Sequence, residues 1–228
     1  MENLHEGHRK RLRERYVNAG GKGFADHELL ELLLTYAIPR RDVNALAHRL
    51  LRRFGSLAGV FGAPLAELAS VEGLGESAAV FLSLGNELCS RLAVAPLKQN
   101  GAVVLSTTED AARYALAGAR GLVNERCAAI LLDTKRRVVG ETEIGTGTLV
   151  ESGVYPRLAA EAALNAHAAF AVLCHNHPSG DPTPSDADRK ATVAVQQALA
   201  AVGVTLLDHL VTGDGCVFSL AAGERIVL

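Results

Sequence analysis

FAVLCHNHPSGDPTPSDAD, residues 170–188, decides how this chain is built. The stretch FAVLCH is apolar and short enough for a buried strand. SDADRKATVAVQQALAAVG (185–203) then reads as a helix, with Ala187, Ala191, Val195, Leu199 and Val202 on one stripe before Gly203 stops it. Gly180, Pro182 and Pro184 punctuate the reversal between them. A strand returns side chains to one face at every second position, so His175 and His177 point the same way. The reversal brings Asp188, in the first helical turn, back toward both.

The flanking sequence supplies the rest of an α/β layer. CAAILLD (127–133) and RVVGETEIGTG (137–147) read as strands around a hairpin turn at 133–136, and PRLAAEAALNAHA opens with proline as helices often do. VTLLDHLVT and CVFSL supply two closing strands. The order β-α-β-β-α-β-α-β-β over residues 102–228 predicts a mixed sheet with helices on its faces. Residues 1–96 differ in character, with no alternating pattern. There DHELLELLLTYAI has Asp26 as its N-cap, VNALAHRLLRRFG ends on Gly55, and APLAELASV carries Pro64 near a helix start. A small all-helical domain is expected over 1–96, with the boundary between Ala93 and Ala102.

Composition narrows the function. The 228 residues are 49% hydrophobic and carry a formal charge of -2, so no global field draws the chain to nucleic acid or anionic lipid. Cys89, Cys127, Cys174 and Cys216 form no Cys-x-x-Cys pair and read as buried free thiols. The amino end, MENLHEGHRKR, lacks an apolar signal core, and no uncharged apolar run reaches the roughly 18–20 residues of a membrane span. A reducing, cytoplasmic location and no membrane partner are expected.

Two imidazoles and one carboxylate, with a fourth place left for water, describe a catalytic zinc site. The ion would bring the pKa of its water to roughly 7, which suits hydrolysis. A second reading needs no metal. Ser185-x-x-Asp188 fits a helix capping box, and either histidine alone fits a hydrogen-bonded core residue. The conjunction favours the ion, because three polar groups gathered at an apolar strand end are costly without a partner.

His175-Asn176-His177, seven residues, Ser185, two residues and Asp188 match His-x-His-x7-Ser-x2-Asp at every position. This resembles the JAMM motif of the JAB/MPN metallopeptidases. The wording HNHPSGDPTPSDAD, followed by LLDHLV (206–211), is similar to the RadC branch, and the helical first part resembles the RadC amino-terminal region. The resemblance implies a JAB/MPN-type domain at 102–228, with zinc held by His175, His177 and Asp188. It also implies metal-activated cleavage of a peptide or isopeptide-like bond. Ser185 would hydrogen-bond the oxyanion or the metal's water, a use that competes with capping. A glutamate would be the general base, with Glu125 matching the placement and Glu141 and Glu143 as rivals. Asn176 is expected to face away from its neighbours and shape the turn, Ser179 and Asp181 to orient ligands, and Asp208 with His209 to form a supporting pair.

LASVEGLGESAAVFL (68–82) resembles a helix-hairpin-helix element, whose glycines let backbone amides face a phosphate. Glu76 weakens that attraction, and the basic cluster HRKRLRERY (8–16) lies in a segment with 12 Lys or Arg against 11 Asp or Glu. Weak DNA contact through residues 1–96 is the alternative function, that of a DNA-associated accessory protein whose metal domain is a scaffold, and the RadC resemblance implies an association with DNA repair. That alternative predicts DNA binding that survives Asp188→Ala, whereas the hydrolase reading predicts loss of zinc and cleavage.

Overall fold

The computed structural model describes residues 4–122, 124–146 and 155–228, in two compact units, Met1–Leu88 and Cys89–Leu228. The expectation for the amino end at residues 1–3, and the last residue of the strand expected to end at 147, lie outside the described residues.

The first unit is helical: α1 (Leu4–Ala19), α2 (Asp26–Ala37), α3 (Asn44–Phe54), α4 (Leu57–Gly62), α5 (Leu65–Ala69) and the start of α6 (Glu76–Val94). Its core gathers Leu30, Leu34, Leu50, Val60, Leu68 and Leu82. Local sequence chemistry sets the helix ends. Gly55, at φ 82, ends α3, and the Ser56 hydroxyl caps α4 by accepting from the Gly59 amide. Asp26 is not the N-cap of α2. Ala25 holds that position, and its amide donates to the Glu28 carboxylate at 2.9 Å, so the acid three residues on does the capping. Gly73 (φ 88) and Gly75 (φ 75) form the tight turn between α5 and α6. With the turn that follows it, α6 forms a stretch (Glu76–Leu97) long and apolar enough by composition to cross a membrane, although Glu87 and Arg91 interrupt it. Its Ala78, Ala79 and Leu82 lie in the first unit's core.

The second unit opens with a separate hairpin, β1 (Lys98–Gln99) and β2 (Ala102–Val103). The first expected strand therefore stays out of the main sheet. Asn100 (φ 49) and Gly101 (φ 83) turn it back on its own neighbour, and only Val104 bridges to Arg137. After α7 (Thr108–Ala119) come β3 (Arg126–Leu132), β4 (Val138–Thr146), α8 (Tyr155–Asn165), β5 (Phe170–Asn176), α9 (Asp186–Ala201), β6 (Thr205–Thr212), β7 (Cys216–Ser219) and β8 (Glu224–Val227). The sheet order is β4-β3-β5-β6-β7-β8, with β5 and β6 parallel and the other neighbours antiparallel. Strand β8 adds to the expected set. Its side chains are mostly exposed, so no apolar pattern announces it.

Both faces of the sheet are covered, which is why CAAILL of β3 and FAVLC of β5 are unbroken apolar runs. Cys127, Ala129, Leu131, Ala171 and Leu173 pack toward Ala159 and Ala163 of α8 and Val195 and Leu199 of α9. Ile130, Leu132, Val172 and Leu210 pack toward Ala111, Ala112 and Ala115 of α7. Alternation along β5 thus assigns His175 to the α8/α9 face, and Asn176 to the α7 face beside Cys174.

Candidate metal centre

Strand β5 ends at the histidines, and α9 begins where the loop returns. The loop is pinned to β6 by its backbone: His177 N donates to Thr212 O at 2.9 Å, and Asp214 N donates to Gly180 O at 2.9 Å. Gly213 permits that approach, since a Cβ there would meet Gly180 O at 2.2 Å. The pinned loop returns the chain so that Ser185 caps α9. Asp188 N donates to Ser185 Oγ at 3.2 Å, while Ser185 N and Oγ both donate to Asp188 Oδ2 at 2.7 Å. The capping box and the acid ligand are therefore one structure. Ser185's hydroxyl proton points at Asp188, fixing the rotation of its carboxylate.

Ring Nε2 of His175 lies 2.9 Å from Nε2 of His177, with Asp188 Oδ1 3.4 Å from the first and Oδ2 3.7 Å from the second. One ligand atom from each residue lies within 4.8 Å of the others. Two ligands of one tetrahedral ion, bonded at about 2.0–2.1 Å, sit roughly 3.3 Å apart, so these separations bracket the value required. The protons agree with that fit. Nδ1 of His177 is 2.7 Å from the Asp181 carbonyl, which only accepts, so Nδ1 carries the hydrogen and Nε2 offers a lone pair. Burial is the main influence on His175 and lowers its pKa, keeping the ring neutral as a ligand must be. Burial opposes charge on Asp188 too, but the hydrogen bonds from the Ser185 hydroxyl and amide favour the charged form, and the carboxyl pKa lies below its usual range. Two imidazoles and a carboxylate are a donor set that a divalent cation can take.

Glu125 stands just before β3, two residues ahead of Cys127, whose register partner on β5 is His175. Glu141 and Glu143 belong to the α7 side of the sheet. Glu141 accepts from Tyr114 at 3.2 Å, and Arg126 donates to Glu141 at 3.3 Å and to Glu143 at 2.8 Å.

The surrounding polar residues depart from expectation. Asn176 does face away from the histidines, yet it braces the start of β3 instead of shaping the turn. Its Oδ1 accepts from Arg126 N at 2.8 Å and its Nδ2 donates to Asn124 O at 2.9 Å, one bond on either side of Glu125. Asp208 and His209 do not pair through their side chains. The Asp208 carboxylate accepts from the His209 backbone amide at 2.7 Å, from Ser219 Oγ at 2.5 Å and from the Ala221 amide at 2.9 Å, tying the turn after β7. His209 instead meets His175. A register shift between Ala171 and Val172 changes the phase of β6, so that Leu206 packs on the α8/α9 side while Leu207 and Leu210 pack on the other. That irregularity turns His209 toward the site. Asp181 orients His177 through its backbone carbonyl, not its carboxylate, which accepts from Thr183 and from Arg225 at 3.0 Å. Thr192, which touches both Asp188 and His209, escaped the sequence reading, although its spacing of four from Asp188 places it on the same helical face. The cysteines are free, but only Cys127 is fully buried, and Cys89 is exposed.

The RadC-like JAB domain family matches residues 105–225, and the UPF0758 N-terminal family matches residues 5–80. A UPF0758 protein of Ruegeria pomeroyi is 39% identical over 94% of this chain and 95% of its own length. One from Rhodobacter capsulatus is 40% identical over 92% of this chain and 98% of its own, and one from a Geobacillus species is 39% identical over 90% and 89%.

Proposed function

Because the chain belongs to the RadC-like JAB domain family, we propose that its second unit is a zinc-dependent hydrolase that cleaves a peptide or isopeptide-like amide bond. The observation that carries this reading is the convergence of His175, His177 and Asp188 at one end of the sheet, where the ring protons leave a nitrogen lone pair aimed inward. When bound, zinc supplies Lewis acidity and makes hydroxide accessible near neutral pH.

The chain's own residues do the remaining work. His175, His177 and Asp188 hold the ion, and Ser185 holds Asp188. Glu125 takes a proton from the attacking water and passes it to the leaving nitrogen, a transfer that suits a carboxylate at the open strand end. Service by Ser185 to a substrate oxyanion would require its proton to leave Asp188 Oδ2, so holding the ligand is its primary role. The substrate is a protein or peptide, and a reducing cytoplasmic compartment suits the four free thiols.

The test is cleavage of peptide and isopeptide-linked libraries by native protein and by Glu125→Gln at matched zinc content. The reading expects cleavage by the native protein only. Equal cleavage by Glu125→Gln would remove Glu125 from its role, and no cleavage by zinc-loaded native protein across both libraries would remove the hydrolase.

One observation favours a second role for the first unit. Arg41, Arg49 and Arg53 converge on the hairpin, donating to Gly73 O, Glu72 O and Ser70 Oγ. Weak DNA contact there predicts salt-sensitive binding that persists in Asp188→Ala.

A further inference from the structure

One more histidine is buried against the ligand set. His209, 1% exposed, places Nε2 2.9 Å from His175 Nδ1 and Nδ1 2.6 Å from Thr192 Oγ1. The same hydroxyl lies 2.6 Å from the backbone carbonyl oxygen of Asp188. A threonine hydroxyl has one hydrogen, so it donates either to that carbonyl or to His209, never to both.

Two proton arrangements follow for the row. In the first, Thr192 donates to His209 Nδ1, His209 Nε2–H donates to His175 Nδ1, and His175 Nε2–H donates to His177 Nε2. The row then satisfies itself, with a hydrogen standing where a cation would bind. In the second, Thr192 donates to the Asp188 carbonyl and accepts from His209 Nδ1–H, while His175 Nδ1–H donates to His209 Nε2. His175 Nε2 is then bare. Each ring carries one hydrogen in both arrangements, so exchange moves one hydrogen from Nε2 to Nδ1 on each ring and changes no charge. A carbonyl only accepts, and a 2.6 Å oxygen–oxygen contact is favourable only with a hydrogen between the atoms. The second arrangement meets that requirement, and it leaves two lone pairs facing across the 2.9 Å between His175 Nε2 and His177 Nε2, a contact that a cation between them would relieve.

We propose that Thr192 and His209 are positioning residues that select the Nδ1–H tautomer of His175 and thereby aim its Nε2 lone pair at the cation. This rests on the metal-site reading above. Thr192 does this from α9, the helix that also carries Asp188, so the carboxylate ligand and the tautomer of its partner are set by a single element. The β6 irregularity that turns His209 inward gains a purpose by the same argument.

The test compares the native protein with Thr192→Val, which keeps the shape and removes the hydroxyl, and with Thr192→Ser, which restores it. Zinc affinity is measured by chelator competition, and histidine tautomers by ¹⁵N–¹H correlation spectra of the zinc-loaded native protein. The proposal expects affinity to fall about 10–100-fold in Thr192→Val and to recover in Thr192→Ser. It also expects hydrogens on Nδ1 of both His175 and His209. Native-like affinity in Thr192→Val overturns it. So does a native spectrum with either hydrogen on Nε2, a result that needs no variant to fold. Absence of zinc binding by the native protein overturns the metal-site reading itself and the proposal with it, an outcome distinct from zinc bound with no effect at Thr192.

Discussion

Each unit buries an acid beside a histidine, and the two clusters end differently. In the first, Glu31 is 2% exposed; His8 lies 2.8 Å from Oε1 and Asn44 Nδ2 donates to Oε2 at 2.7 Å. Each carboxylate oxygen has a partner, and the half-exposed His8 gives the group a route to water. In the second, Asp188 is 3% exposed, and its Oδ2 accepts from Ser185, but Oδ1 faces His175 Nε2 at 3.4 Å, too far for a charge-assisted hydrogen bond. The lone pair of His177 points into the same space. The first cluster completes its own hydrogen bonds, whereas the second leaves Asp188 Oδ1 without a close donor, and the proposed cation would supply the missing partner.

The contrast breaks if metal stabilises both units alike. Zinc at 100 times its dissociation constant should raise the stability of the second unit by about 2.7 kcal/mol, read as slowed amide hydrogen exchange in β3, β5 and β6, with α2 and α3 unchanged. Protection in α2 and α3 would place the ion elsewhere. The converse perturbation is Glu31→Ala, which strands the Asn44 amide and the His8 ring. It should cost the first unit about 1–3 kcal/mol by denaturant unfolding while leaving zinc stoichiometry intact; a loss of zinc would join the clusters functionally.

A finer comparison lies within the second unit, which has the same capping box twice. Thr107 and Asp110 open α7 much as Ser185 and Asp188 open α9. Thr107→Ala and Ser185→Ala should each cost about 1 kcal/mol of stability. Only Ser185→Ala should also weaken zinc, by about 10–100-fold, because only that cap holds a ligand. Equal zinc affinity in the two variants would reduce Ser185 to a cap.

Much of this site could be read directly from the chain, because β5, the loop and α9 are contiguous and two local periodicities suffice to bring His175, His177 and Asp188 together. What escaped depends on partners distant in sequence. The brace by Asn176 requires β3, about 50 residues upstream. His209 reaches the site through a register irregularity that no alternation pattern announces. Glu31 sits inside the apolar run of DHELLELLL, where only tertiary packing reveals His8 and Asn44 as its partners. Asp26 failed as a cap because a competing acid, Glu28, reaches back to the Ala25 amide.

The most direct measurement is metal analysis of the purified 228-residue chain beside Asp188→Ala, both dialysed against the same zinc buffer. The account predicts one zinc per native chain and none in Asp188→Ala, with both proteins folded by circular dichroism. A native chain without zinc, or a variant that retains it, would contradict the claim that His175, His177 and Asp188 form a cation site.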